Sequence, residues 1–214
     1  MPANTSDAAS VSENTVATPR LRVCVFCAST PGNSPEFMRL ATELGTALAR
    51  RQWSLVYGGG RAGLMGAVAD AAMTGGSRVL GILPQFMDKH EIAHRGITDL
   101  RLVDSMEARL SMMLAESDCF VALPGGPGTL EELFFIISRV KLNRHTGKII
   151  LINHRGYFDP TVAMLDRCLD TGFLAPQYRA LWTVVPDIES AMRVLAEEPL
   201  ANPAAATKHL PPPL

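Results

Sequence analysis

Between residues 21 and 197 the chain repeats one pattern: a short apolar run, a turn rich in glycine or proline, then a longer segment of helical period. The apolar runs at 21–26, 53–57, 78–83, 119–123, 148–153 and 181–185 read as strands, with a shorter one at 99–103. Helical segments are expected at 35–51, 64–74, 105–117, 129–141, 157–171 and 187–197. The first places Phe37, Leu40, Ala41, Leu44 and Leu48 on one stripe. Strand–helix alternation of this kind builds an α/β domain: a mainly parallel sheet, doubly wound, with helices on both faces. Strands that are apolar at nearly every position agree, because parallel strands are buried on both sides. In such sheets ligands sit beyond the carboxyl ends of the strands. Both glycine clusters of this chain lie at such ends.

The 214 residues suffice for a single domain with a sizeable core. Twenty Lys and Arg balance 21 Asp and Glu, for a net charge of -1. A non-specific nucleic-acid binder needs a basic excess, so that class is excluded. No apolar run approaches the ~20 residues of a membrane span. Residues 1–19 carry no apolar core segment and no early positive charge, which argues against a secretory signal. Four scattered cysteines, Cys24, Cys27, Cys119 and Cys168, fit a reduced, cytoplasmic protein. Cys24 and Cys27 lie at odd spacing on a strand, so their thiols should face opposite sides. Residues 1–19 and the Ala/Pro-rich 198–214 are expected to be disordered tails around one domain at 20–197.

Two glycine clusters carry the chemistry. The first contains Gly58, Gly59, Gly60, Gly63 and Gly66, with Met65 among them. It satisfies G-x-G-x-x-G between a strand and a helix. A dinucleotide site would also need an acid after the next strand, where this chain has Leu83-Pro84-Gln85. What survives is either an anion cradle at a helix start or a tight turn with close helix packing. The second cluster, Pro124-Gly125-Gly126-Pro127-Gly128-Thr129-Leu130-Glu131-Glu132, follows a buried strand and precedes a helix. Its backbone N–H groups could hold a phosphate. Thr129-x-x-Glu132 also reads as a capping box, as does Asp104-x-x-Glu107. A capping box leaves three glycines unexplained. On the helix that follows Asp104, Met106, Arg109 and Met113 share a face. A core-facing arginine requires an anion, and a phosphate or Glu132 would serve. His90-Glu91-Ile92-Ala93-His94 spells the zincin motif, but in a polar connector followed by Gly96 rather than on a regular helix.

These strings, Gly58-Gly59-Gly60-x-x-Gly63-Leu64-Met65-Gly66, Met106-x-x-Arg109-x-x-x-Met113 and Pro124-Gly125-Gly126-x-Gly128-Thr129-x-x-Glu132, resemble the LOG family over about residues 20–197. Its members are cytokinin riboside 5′-monophosphate phosphoribohydrolases. The resemblance implies a Rossmann-like fold, a homodimer, and hydrolysis of the N-glycosidic bond of a purine or cytokinin nucleoside 5′-monophosphate. It implies no cofactor and no metal, and the charge balance and the short apolar runs already argue against nucleic acid and membrane. By similarity Arg109 and Glu132 match the catalytic pair, residues 125–131 the nucleotide-binding loop, and Glu91 a binding glutamate in the connector. One departure is Leu110, where the family usually has lysine. Rivals are a non-catalytic nucleotide or molybdenum-cofactor carrier, a pyridoxal-phosphate decarboxylase and an NAD-linked oxidoreductase.

Overall fold

The computed structural model describes residues 21–89 and 92–197. It contains seven strands: β1 Arg22–Phe26, β2 Ser54–Tyr57, β3 Val79–Pro84, β4 Asp99–Val103, β5 Cys119–Ala122, β6 Ile149–Ile152 and β7 Trp182–Val185. They form one sheet in the order β4-β3-β2-β1-β5-β6-β7, with every neighbouring pair parallel. The helices are α1 Pro35–Arg50, α2 Gly63–Thr74, α3 Met106–Ala115, α4 Pro127–Lys141, α5 Asp159–Asp170 and α6 Ile188–Ala196.

The two faces are separated by strand parity. Val23, Val25 and Cys27, with Leu55, Tyr57, Val121 and Ile150, pack under α1, α2 and α6. Cys24 and Phe26, with Val56, Ile82, Phe120 and Leu151, pack under α3, α4 and α5. Cys24 and Cys27 therefore point to opposite sides, as their spacing demands. Burial pushes the thiols of Cys24, Cys27 and Cys119 up, so they stay protonated and act as packing groups.

Two helices start at other residues than the expected caps. The capping boxes expected at Asp104 and Thr129 do not form. Ser105 caps α3, its Oγ accepting from Ala108 N at 3.1 Å, while Asp104 accepts from Gln85 Nε2. Pro127 opens α4 and Gly126 is its N-cap, with no side-chain cap at all. A proline at the first helical position is preorganised for the turn, so the helix begins two residues before the threonine. Three short 3-10 turns, Gln85–Met87, His154–Gly156 and Pro176–Leu181, break segments with no periodic signal. No helix among the described residues is long and apolar enough to cross a membrane.

The chain winds outward from β1 to β4, then returns to lay β5 on the other side of β1. That reversal is the topological switch point, beyond the carboxyl ends of β1 and β5, where ligands sit in sheets of this kind.

Candidate active site

The loops after β1, β2 and β5 are laced together at this point. Ala28 N donates to Pro124 O at 3.2 Å, and Met65 N donates to Ala28 O at 3.1 Å. The loop after β1 presents exposed Ser29 and Thr30. They belong to none of the expected motifs; a Ser-Thr-Pro-Gly-Asn run directly after the first strand is their only mark in the sequence.

Beside this junction stands a buried ion pair. Arg109 Nη1 lies 2.9 Å from Glu132 Oε1, and the two residues are only 6% and 3% exposed. Arg109 projects from the first half of α3 and donates from Nε to Ile82 O of β3 at 3.1 Å. Glu132 shares the buried stripe of α4 with Thr129, Leu133 and Ile136, a carboxylate where the pattern calls for an apolar side chain. Burial pushes its carboxyl up to about 7, against the opposing pull of Arg109 and with a small upward push from neighbouring Glu131. A buried acid that titrates near neutrality beside a fixed cation can act as a base or stabilise a developing positive charge. Glu131, one position earlier, is exposed.

The glycines of the two clusters do different work. Gly58, Gly59 and Gly60 are all buried. A Cβ on Gly58 would fall 2.0 Å from Arg109 Nη2 and 3.3 Å from Met65 Cε. Gly58 is thus the space that the guanidinium fills on its way to Glu132. Gly59 has φ +76 and faces Leu83 and Leu100; Gly60 lies under Met65 Sδ. Gly63, at φ +59, touches the backbone of Ser29 and Thr30. Close packing accounts for every one of them. In the second cluster, Gly125 makes room for the Thr129 hydroxyl, but a Cβ on Gly126 or Gly128 would meet nothing within 4 Å. Neither has a positive φ. Gly126, Pro127 and Gly128 are exposed at the N-terminus of α4, and the N–H groups of Gly126, Gly128 and Thr129 find no acceptor among the described residues. Bare donors at a helix start, kept free of side chains that the protein itself would tolerate, suit an anionic ligand.

Leu110 is buried next to Arg109, and Met113 is in the core with Met106 partly exposed. Glu91, like His90, lies outside the described residues. The rest of the zincin string is not helical: Ala93 bridges Gly60, and His94 pairs with Asp70 at 2.9 Å. Two of the lysines that a Schiff-base reading would need are engaged elsewhere. Lys148 Nζ donates to the carbonyls of Val194 and Glu197, and Lys141 sits over the ring of Tyr178.

A family model described as "Possible lysine decarboxylase" matches residues 65–195. A probable cytokinin riboside 5′-monophosphate phosphoribohydrolase of Oryza sativa subsp. japonica is 42% identical over 176 residues, covering 82% of this chain and 78% of that protein. A cytokinin riboside 5′-monophosphate phosphoribohydrolase of Rhodococcoides fascians is 38% identical over 196 residues, covering 91% and 96%. The chain belongs to the LOG family. The match to this family spans α2 through α6, so it includes Arg109, Glu132 and the whole second glycine cluster. The LOG-family chain also shares its fold with the molybdenum cofactor carrier protein of Chlamydomonas reinhardtii, at a TM-score of 0.61, 21% identity, and coverage of 83% and 96%. The molybdenum cofactor binding protein of Rippkaea orientalis gives a TM-score of 0.60 at 17% identity, with the same coverage. At these identities the likeness is one of fold.

Proposed function

We propose that the chain hydrolyses the N-glycosidic bond of a purine or cytokinin nucleoside 5′-monophosphate, giving free base and ribose 5-phosphate. The observation that carries this reading is the buried Arg109–Glu132 pair beside an unfilled glycine loop at the switch point. The names of relatives that match over four-fifths of the chain support it.

Cleaving a ribosyl bond passes through an oxocarbenium-like state. The C1′–N bond breaks, its electron pair leaves with the base, and positive charge gathers on the ribose. Ionised Glu132 stabilises that charge and accepts a proton from the water that adds to C1′; the departing base takes up a proton in turn, which restores the carboxylate. Arg109 holds the carboxylate in place through Nη1 and keeps the buried pair near neutral. The N–H groups of Gly126, Gly128 and Thr129 take the 5′-phosphate, with Gly125 shaping the turn. Binding energy gathered there is applied at the reacting centre. Glu131, exposed at the same helix start, holds ribose hydroxyls. Met65 and Glu91 line the substrate. Gly58, Gly59 and Gly60 act from beneath rather than as phosphate donors: Gly58 leaves room for the guanidinium, and Gly59 and Gly60 for the side chains of Leu83, Leu100 and Met65.

In the same reading the enzyme is a cytoplasmic homodimer that needs no cofactor or metal. Free thiols at Cys24, Cys27, Cys119 and Cys168 favour a reducing compartment. Exposed Phe86 and Phe134 favour a second copy. The test is incubation with a panel of nucleoside monophosphates and chromatography of the products. Free base together with ribose 5-phosphate is the expected result. Nucleotide binding without base release would make the chain a carrier instead.

A further inference from the structure

The turn between β6 and α5 belongs to none of the motifs above, yet it reaches the glycine loop. Tyr157 donates from its hydroxyl to Gly125 O at 2.6 Å. The turn that presents it is built to be stiff. Arg155 and Gly156 are consecutive left-handed residues, at φ 52 and 74. Asn153 braces the far side, accepting from Phe158 N at 2.7 Å and donating to Asp159 Oδ1 at 2.7 Å. Arg155 is tied to Glu36 of α1 at 2.8 Å. The Tyr157 ring meets Phe37 and Phe158 edge-on, at centroid distances of 6.1 and 5.2 Å.

The accepting carbonyl matters because of what lies on the other side of its peptide. In a planar trans peptide the C=O and the following N–H point in opposite directions. Holding Gly125 O toward Tyr157 therefore aims Gly126 N–H away from it, as a free donor at the mouth of α4. Both flanking residues are glycine, so no side chain resists rotation of this peptide. Among the described residues, the Tyr157 hydroxyl is the only group that hydrogen-bonds that carbonyl.

We infer that Tyr157 is a positioning residue for the 5′-phosphate: it locks the Gly125–Gly126 peptide so that its N–H faces the anion. This rests on the proposed phosphate role of the loop, and it adds a specific part of the chain that sets affinity without touching substrate. Ribose 5-phosphate is the probe, because it reports on the loop whether or not a glycosidic bond is cleaved.

Tyr157→Phe removes the hydroxyl and keeps the ring. Calorimetry should show ribose 5-phosphate binding weakened about three- to tenfold, the worth of one neutral hydrogen bond. With AMP as substrate, KM should rise by the same factor while kcat stays within about twofold. Phe37→Leu is the control: it disturbs the ring packing and leaves the hydroxyl, so it should lower Tm without changing KM. Unchanged ribose 5-phosphate affinity in Tyr157→Phe overturns the inference. So does a matching loss of affinity in Phe37→Leu, which would make the effect one of packing, or a wild-type protein that binds no ribose 5-phosphate. Base release by the wild type is scored separately: a protein that binds ribose 5-phosphate through Tyr157 but cleaves nothing keeps this inference and loses the hydrolase reading.

Discussion

The two glycine clusters look alike in sequence and are opposites in space. In the first, the volume beside each Cα is occupied by the protein itself: a guanidinium at Gly58, Leu83 and Leu100 at Gly59, methionine sulfur at Gly60, another loop's backbone at Gly63. In the second, Gly126 and Gly128 face open space in ordinary backbone conformations. Packing requires glycine in the first, whereas no atom of the chain requires it at Gly126 or Gly128 in the second. A string of glycines after a strand therefore says only that side chains are unwelcome; the surroundings say on whose account.

The contrast collapses if the ion pair between the clusters does no chemistry, so the largest expected effect is there. Glu132→Gln keeps the shape of the side chain and removes its charge. Base release from AMP should fall about a thousandfold, the scale of a lost acid–base group; turnover within tenfold of wild type would remove Glu132 from the reaction. On the proposed mechanism the ionised acid is the reactive form, so kcat/KM should climb with pH and level off above a midpoint near 7, the value to which burial lifts Glu132. A midpoint near 4.5 would mean that the acid acting is an exposed one.

Within the first cluster, Gly63→Ala puts a side chain on a left-handed residue with Thr30 N at 2.3 Å. The expected cost is about 3 kcal/mol of stability, from αL strain and overlap with backbone that cannot yield, read as a fall in Tm of roughly 10 °C. Gly58→Ala has no such backbone penalty. Its methyl displaces Arg109, and a misplaced guanidinium should lower kcat about a hundredfold with only a modest change in Tm. If Gly58→Ala instead raised KM alone, the first cluster would be a phosphate loop after all.

The sheet was legible because strands buried on both faces leave continuous apolar runs, and each of the seven expected strands lies within a residue or two of an observed one. The Arg109–Glu132 pair was legible too, as an arginine on a methionine face that requires an anion, for which Glu132 would serve. The start of α4 was not. Proline and glycine usually read as loop, so Thr129 looked like the cap, whereas its hydroxyl packs back onto Gly125 from the third helical position. The packing at Gly58 was equally hidden, since it depends on where α3 sends a side chain 51 positions later. Tyr157 gave no signal because its partner is a backbone carbonyl, which every residue carries.

The smallest effect is the one that separates the clusters most cleanly. Gly128→Ala adds a methyl to open space at the second position of α4, where no protein atom lies within 4 Å. Alanine is the better helix former by up to about 1 kcal/mol, so Tm should hold or rise slightly. A ligand seated on the bare N–H groups must give way to the methyl, and KM for AMP should rise about tenfold while kcat is little changed. A variant that is more stable and binds more weakly is the signature of a glycine kept for a ligand. Should Gly128→Ala leave KM untouched, the open space above α4 is merely surface, and the phosphate must find its donors on another loop of the switch point, with exposed Ser29 and Thr30 next in reach.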